Sequence, residues 1–480
     1  CTEHTKALTP KVYNPCLKLE NNLKQTRLDT LSYVLFGKNE EILNPTGIGP
    51  HRIIKASLSP LETEKSILDV KCGTGDNLVL MHEVGFTSLT GIDINLQNIQ
   101  TAKTRGKAEV LSTDIFGIKE TASYNLVFAE GFVDSLPKDK VRDVMERLLK
   151  IAQQRFFFSA TIPEVGEIVE KSDSDEMKCR NRHTTQEILS IAKDILATDS
   201  SLSFHYFHTQ DSTGTLRFNG IFERHDIKKI YAEDGVLLYR ELHDPKKIEN
   251  LQIELEQMKD LVPKPGSIMR YDAKEVFDRV ENFLPYCSDN LRTCFTTDRV
   301  MNIISTLLGE DAILLKDKIN YKLPGSNKYI AHQDVGAGWD KYGDHHLTFA
   351  LSMDEATEQS GALFFAVGEH KKGLLSPMNT PLGDEVIKSL KWSIADTKPG
   401  DALFFDSYLP HYSEANKSLQ ARKMSFLTYI PKRSGDLRES FFIDKRKRQP
   451  TIDERSQNQT FSRDPFEKLV TTTTTTTTTK

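Results

Sequence analysis

Ile67-Leu68-Asp69-Val70-Lys71-Cys72-Gly73-Thr74-Gly75 sets the reading of the first half of the chain. The apolar run closing on Val70 ends a strand. The glycines then turn the chain into a helix over Asp76–Glu83, which Gly85 stops. A second strand follows, Leu89-Thr90-Gly91-Ile92-Asp93-Ile94, with an acid near its end. Glycines at a strand-to-helix turn let backbone approach a ligand closely. An acid at the end of the second strand can bind the two hydroxyls of a ribose. Turn, helix and acid in that order are more specific than a glycine-rich turn alone.

Outward from this motif, strand-like runs at Ser66–Val70, Leu89–Ile94, Tyr124–Phe128 and Arg155–Ser159 alternate with helical stretches. From about Arg27 to Phe222 this predicts an α/β, doubly wound domain, a parallel sheet with helices on both faces. The segment Glu223–Lys264 is highly charged and mostly helical in pattern. Its Ile248, Leu251, Ile253, Leu255 and Met258 give one apolar side, so it opens the second domain. From about Ala331 the pattern changes to short β runs: His346–Met353, Ala362–Val367, Ala402–Asp406 and Lys423–Ile430. Turn signals such as Gln359-Ser360-Gly361 and Lys398-Pro399-Gly400-Asp401 separate them. Such runs predict a barrel or jelly roll.

The first block resembles class I S-adenosylmethionine-dependent methyltransferases, from the Asp69–Gly75 loop to the strand Arg155–Ser159. The resemblance implies a Rossmann-like fold and S-adenosylmethionine as cofactor. The loop opening at Asp69 receives it, with Gly73 and Gly75 bordering the methionine end. Asp93 holds the ribose, Asp114 contacts the adenine amine, and Glu130 faces the active site. One position departs from the pattern: Lys71 stands where the family has glycine or another small residue. Its side chain either crowds the cofactor or points to solvent, which leaves open a scaffold domain without activity. No catalytic base is identifiable, and methyl transfer to an amine needs mainly alignment and a deprotonated acceptor.

The second motif is Ala331-His332-Gln333-Asp334. On a strand, residues at i and i+2 face the same way, so His332 and Asp334 can take adjacent corners of a metal ion. His411, after Phe404-Phe405-Asp406-Ser407-Tyr408-Leu409-Pro410, is the candidate third ligand. Together they make a 2-His-1-carboxylate facial triad for Fe(II), with positions left for 2-oxoglutarate and dioxygen. Arg422 then grips the distal carboxylate of 2-oxoglutarate through its two-pronged guanidinium, which lysine lacks. A lone His-x-Asp is weak; the whole set within a β-rich block is strong.

From about Ile227 to Lys447 the chain resembles the phytanoyl-CoA dioxygenase family of Fe(II)/2-oxoglutarate oxygenases. Tyr231-Ala232-Glu233-Asp234-Gly235-Val236-Leu237-Leu238 looks like that family's opening helix-to-strand unit. The resemblance implies an all-β double-stranded β-helix with flanking helices, iron inside, and Ser413 assisting 2-oxoglutarate. Lys318-Ile319-Asn320-Tyr321-Lys322-Leu323-Pro324-Gly325 and Pro399–Tyr408 look similar to the organophosphonate hydroxylase branch. That branch implies 2-aminoethylphosphonate or its N-methylated forms as substrate. Lys318 and Lys322 either bind an anion or lie on a solvated strand edge. His345, His346, Glu369 and His370 read as pocket wall or turn. The run Lys445-Arg446-Lys447-Arg448 reads as a solvated face, and Cys287 with Cys294 is not a zinc pair.

The expected organisation is therefore an extension over 1–26, a methyltransferase over 27–222, an oxygenase over 223–450 and a tail over 451–480. The tail includes the tract Thr471–Thr479, which has no apolar period and is expected to be disordered. The expected activity is bifunctional: methylation plus C-hydroxylation of a small molecule, with ascorbate as supporting reductant. The formal charge of −5 lacks the basic footprint of a nucleic-acid binder. No apolar run is long enough for a membrane-spanning helix. Six scattered cysteines without a CxxC pair suit a reducing compartment, so the expected location is the cytoplasm.

Overall fold

Residues 30–35, 46–53, 60–162, 183–210, 215–258, 268–271 and 277–448 are described by the computed structural model. They fall into two compact units. One holds those up to Gly47 and from Ser57 to His225; the other holds Ile48–Ala56 and those from Asp226 onward. The terminal extension and the threonine tract expected from the sequence lie outside the described residues.

Strand β1 (Thr46–His51) pairs within the second unit and is taken up there. The first unit is a sheet of β2 (Ile67–Val70), β3 (Leu89–Asp93), β4 (Glu109–Ser112), β5 (Tyr124–Ala129), β6 (Ala152–Thr161), β7 (Leu202–Gln210) and β8 (Leu216–Arg224). The spatial order is β4-β3-β2-β5-β6-β8-β7, parallel from β4 to β6. Every residue of β2 is buried, as expected of a parallel strand covered on both faces. The helix Val141–Ile151 carries one such cover, burying Val144, Met145, Leu148 and Ile151. Strand order reverses at β2, so a crevice opens beyond the carboxyl ends of β2 and β5. The expectation of a wholly parallel sheet needs one correction. β8 runs antiparallel to both β6 and β7, because the link from β7 to β8 is too short for a crossover.

The second unit has two antiparallel sheets. The larger contains, in order, β10 (Ile268–Tyr271), β11 (Phe277–Glu281), β12 (Ala312–Lys322), β19 (Arg422–Pro431), β14 (Leu347–Ser352), β17 (Ala402–Asp406), β9 (Val236–Arg240) and β1. The smaller contains β13 (Tyr329–His332), β18 (His411–Ser413), β15 (Leu363–Phe365) and β16 (Ser393–Ala395). Leu238, Leu403 and Phe426 of the larger sheet pack with Leu363, Phe365 and Ala395 of the smaller. Helices Asp289–Thr296 and Asp298–Leu308 bury Leu291, Phe295, Ile303 and Ile304 in a core shared with Phe349, Phe404 and Leu427 of the larger sheet. Strand β1 lies outside the first block, where the sequence reading put it. Its Gly49, Pro50 and His51 pair with Arg240, Tyr239 and Leu238. No helix among the described residues is long and apolar enough to cross a membrane.

Candidate active site

β13 ends on His332 and β18 begins on His411, and the register sets these two residues opposite each other. Their ring centroids lie 4.4 Å apart. Asp334 stands just beyond β13, at the head of the short turn Asp334–Ala337, rather than on the strand itself. The bend still brings its carboxylate back, 3.7 Å from His332 Nε2. Ligand atoms of His332, Asp334 and His411 all lie within 4.8 Å of one another.

Each imidazole is oriented by its own backbone. His332 Nδ1 lies 2.7 Å from the Ile330 carbonyl, and His411 Nδ1 lies 2.9 Å from that of Leu409. A carbonyl can only accept, so Nδ1 carries the proton and Nε2 keeps its lone pair. Two neutral imidazoles and one carboxylate are a donor set that fits Fe(II). Burial, then neighbouring His332, lowers the pKa of His411 to about 4. Burial alone raises that of Asp334, but the His332 hydrogen bond and the Lys316 charge outweigh it and hold the carboxyl below its usual range.

These residues open into a cavity of about 460 Å³. At one end Arg422 is buried, and its Nη2 donates to the Gly361 carbonyl at 2.6 Å. Beside it Lys322, opposite Arg422 in register, donates from Nζ to Ser413 Oγ at 2.7 Å. That bond leaves the Ser413 hydroxyl proton available to a carboxylate. The solvated-edge alternative for Lys318 and Lys322 does not hold, since β12 lies between β11 and β19 and Lys322 is fully buried.

The cavity's other wall is β12. Lys316, Lys318 and Asn320 alternate along one face of that strand and line the cavity, with Arg279 opposite Asn320 in register. Burial lowers the pKa of Lys316 well below the lysine norm; burial and then Arg279 lower that of Lys318. The Asn320 side-chain carbonyl has no hydrogen-bond partner among the described residues. Among the described residues, Asp334 is the one acid lining this cavity.

In the first unit, Gly75 has a φ of +82°, in the left-handed region, and caps the helix Asp76–Glu83. A Cβ on Gly73 would meet no atom within 4 Å, so the turn is open to a ligand. Asp93 accepts hydrogen bonds from the backbone amides of Gly73 (2.9 Å) and Asn95 (2.8 Å). Asp69 is buried, and Asn77 donates to Glu130 at 3.1 Å. Asp114 is exposed and caps the turn Ile115–Gly117 through the amides of Phe116 and Gly117. Lys71 is exposed with a φ of +61°, a conformation that glycine adopts without strain. His205, Glu223 and His225 also converge. Glu223 pairs there with Arg155 at 2.5 Å, and both imidazoles reach Ser203 Oγ, so a hydrogen-bonded network accounts for the cluster.

The family model described as phytanoyl-CoA dioxygenase (PhyH) matches residues 231–424, and that described as a methyltransferase domain matches residues 67–154. A methylphosphonate hydroxylase of Gimesia maris is 40% identical over 34% of this chain and 62% of its own length. A 2-aminoethylphosphonate dioxygenase of an uncultured bacterium is 34% identical over 41% of this chain and 78% of its own. The chain belongs to the phytanoyl-CoA dioxygenase family. It also carries a methyltransferase domain. The chain spans less than two thirds of the Gimesia maris relative. The crystal structure of EctD from S. alaskensis with bound Fe aligns at a TM-score of 0.38 and 16% identity, over 43% of this chain and 76% of that one.

In this member of the phytanoyl-CoA dioxygenase family, His332, Asp334, His411, Arg422 and Ser413, the residues singled out from the sequence, line one cavity. The sequence reading did not single out Lys316 or Arg279, which line the same cavity. A period of two through Lys316, Lys318, Asn320 and Lys322 was the available signal for β12. Nothing local marked Arg279. Of the basic run that the sequence presented as a solvated face, Lys445 and Arg448 also line this cavity; other candidates make pairs of their own. His345 pairs with Asp406 at 3.3 Å, Glu369 pairs with Lys372 at 2.6 Å, and Cys287 and Cys294 are buried free thiols.

Proposed function

We propose that the second unit is an Fe(II)/2-oxoglutarate oxygenase of double-stranded β-helix type that hydroxylates a small organophosphonate. The observation that carries this reading is the convergence of His332, Asp334 and His411 in the wall of a cavity whose other ionic groups are cations. Further support comes from the two phosphonate-oxidising relatives. Fe(II) held by His332, Asp334 and His411, with 2-oxoglutarate and dioxygen, would supply oxidative C–H hydroxylation, one oxygen atom of dioxygen going to the substrate and the other to succinate, with release of carbon dioxide. The chain's own part is positional. Ile330 and Leu409 hold the imidazoles with Nε2 forward. Arg422 takes the distal carboxylate of 2-oxoglutarate in a fork, and Ser413 donates its hydroxyl proton to that carboxylate. Lys316 and Lys318 face the phosphonate oxygens, and Asn320 turns its amide toward them. Apolar Leu363, Phe405 and Phe426 keep the reacting carbon away from bulk water.

In the same proposal the first unit, Rossmann-like and doubly wound, binds S-adenosylmethionine at Asp69, Gly73, Gly75, Asp93 and Asp114 and methylates a small molecule. The open turn at Gly73 supports this. Lys71 favours a second reading, a scaffold that does not bind the cofactor. Calorimetry with S-adenosylmethionine separates the two, since a scaffold gives no binding heat.

The oxygenase is tested by succinate release from the purified chain with Fe(II), ascorbate and 2-oxoglutarate. The panel holds methylphosphonate, ethylphosphonate, 2-aminoethylphosphonate and its N-methylated forms, beside betaines and amino acids. Phosphonate-dependent succinate is expected, and its loss in His411→Ala. Turnover of the controls alone would overturn the phosphonate reading.

A further inference from the structure

We infer that the cavity selects a phosphonate with no cationic group, an alkylphosphonate, and rejects 2-aminoethylphosphonate and its N-methylated forms. This rests on the reading of the second unit as a phosphonate-hydroxylating oxygenase.

A protein balances the charge of an organic ammonium with a carboxylate or with the face of an aromatic ring; the Asn320 side-chain carbonyl can accept one N–H of a primary ammonium but carries no charge to balance it. Carboxylate and rings are both already engaged here by the protein's own groups. Among the described residues the one acid lining the cavity is Asp334, and its carboxylate belongs to the ligand set. The nearest other acids lie behind Arg279. Asp278 is 3.4 Å from it and Glu281 2.9 Å, and Glu281 is also bridged by Lys445 at 2.7 Å.

The rings are covered in the same way. Lys316 Nζ sits 3.3 Å from the centre of Trp339. Lys318 lies 5.0 Å from that of Phe426, Lys322 5.1 Å from Tyr329, and Lys445 5.8 Å from Phe441. Two lining rings remain. Tyr412 is stacked flat on Phe364 at 4.8 Å, and Phe405 packs against the His411 ring at 5.1 Å. A quaternary ammonium thus finds no cage. A primary ammonium would enter among lysines and arginines, a like-charge placement that partner-selective sites use for rejection. The nitrogen of Lys316 covers the Trp339 face whether or not it carries its proton. A phosphonate dianion meets the opposite situation, a row of donors along β12. An amine methylated by another active site, including that of the first unit, is therefore not the substrate of this cavity.

The test uses the full chain loaded with Fe(II) and 2-oxoglutarate. Substrate-dependent succinate release gives kcat/KM for ethylphosphonate, 2-aminoethylphosphonate and its trimethyl form. Calorimetry under nitrogen gives their binding. Ethylphosphonate should exceed both amines by at least about 100-fold in kcat/KM. An amine within tenfold of ethylphosphonate, or better, overturns this inference and leaves the phosphonate reading standing. If no phosphonate binds or turns over, both fall. Lys316→Glu should shift the ratio toward 2-aminoethylphosphonate. Lys318→Glu tests the same point if the first variant loses its circular dichroism signal. A folded variant with an unchanged ratio overturns the charge argument.

Discussion

Arg155 and Arg422 are among the largest side chains fully enclosed by the molecule, and they are enclosed for different reasons. Arg155 is neutralised by Glu223, at 2.5 Å, and also donates to the Val34 carbonyl. Removing one member of a buried pair strands the other charge, which costs about 3–5 kcal/mol. Arg155→Met should therefore lower the urea midpoint followed by circular dichroism; an unchanged midpoint would show Glu223 to be neutral or solvated. Arg422 reaches the cavity with one nitrogen on a backbone carbonyl. Arg422→Lys keeps the charge and loses the fork, so KM for 2-oxoglutarate should rise at least about tenfold. A wild-type KM would remove it from the co-substrate site. The second arginine was legible in the sequence because its spacing from His411 carries meaning. The first was not, since Glu223 is a distant partner that no local pattern announces.

At the scale of elements, period and composition located strands well where both faces are apolar. The run Ala402–Asp406 coincides with β17. The charged stretch Glu223–Lys264 reads as mostly helical by pattern, and only the family resemblance, a helix-to-strand unit over Tyr231–Leu238, puts a strand in it; Val236–Arg240 forms β9, between β17 and β1. A short apolar run such as Val236–Tyr239 can join a helix or a strand, and here partners far along the chain decide. β12 was quoted only in part, although it carries the basic row. A slip of one residue in its register would turn Lys316, Lys318 and Asn320 out of the cavity together. β8 shows how tightly elements close. A Cβ on Gly220 would lie 2.5 Å from the Phe158 ring and 3.0 Å from that of Phe204. Gly220→Ala should cost about 1–3 kcal/mol through overpacking of these aromatics. The check is again the urea midpoint, and a neutral outcome would mean that the stack yields without strain.

Over the whole molecule, the change from α/β alternation to short β runs was readable, and so were the two blocks. The placement of β1 was not, because its partner β9 follows only after the entire first unit. Burial sets the pH response. The pKa values of His243 and His346 are each lowered to about 4, chiefly by burial. In the unfolded chain they return to about 6.5. Between these values the unfolded state binds protons that the folded state refuses. Stability from these residues is complete above about pH 6.5 and falls as the pH drops toward 4, by about 1.4 kcal/mol per unit for each histidine. Urea midpoints by circular dichroism at pH 7.5, 6 and 5 should decline in that order; a level profile would contradict the burial of neutral imidazole. The chain's two tryptophans, Trp339 and Trp392, have a further consequence. Both lie in the second unit, one on the cavity wall and the other against Tyr412, which also lines the cavity. Light emitted on excitation near 295 nm therefore reports the second unit alone. An unfolding curve recorded that way is blind to the first unit, and its departure from the peptide-bond signal measures how independently the two halves of the chain melt.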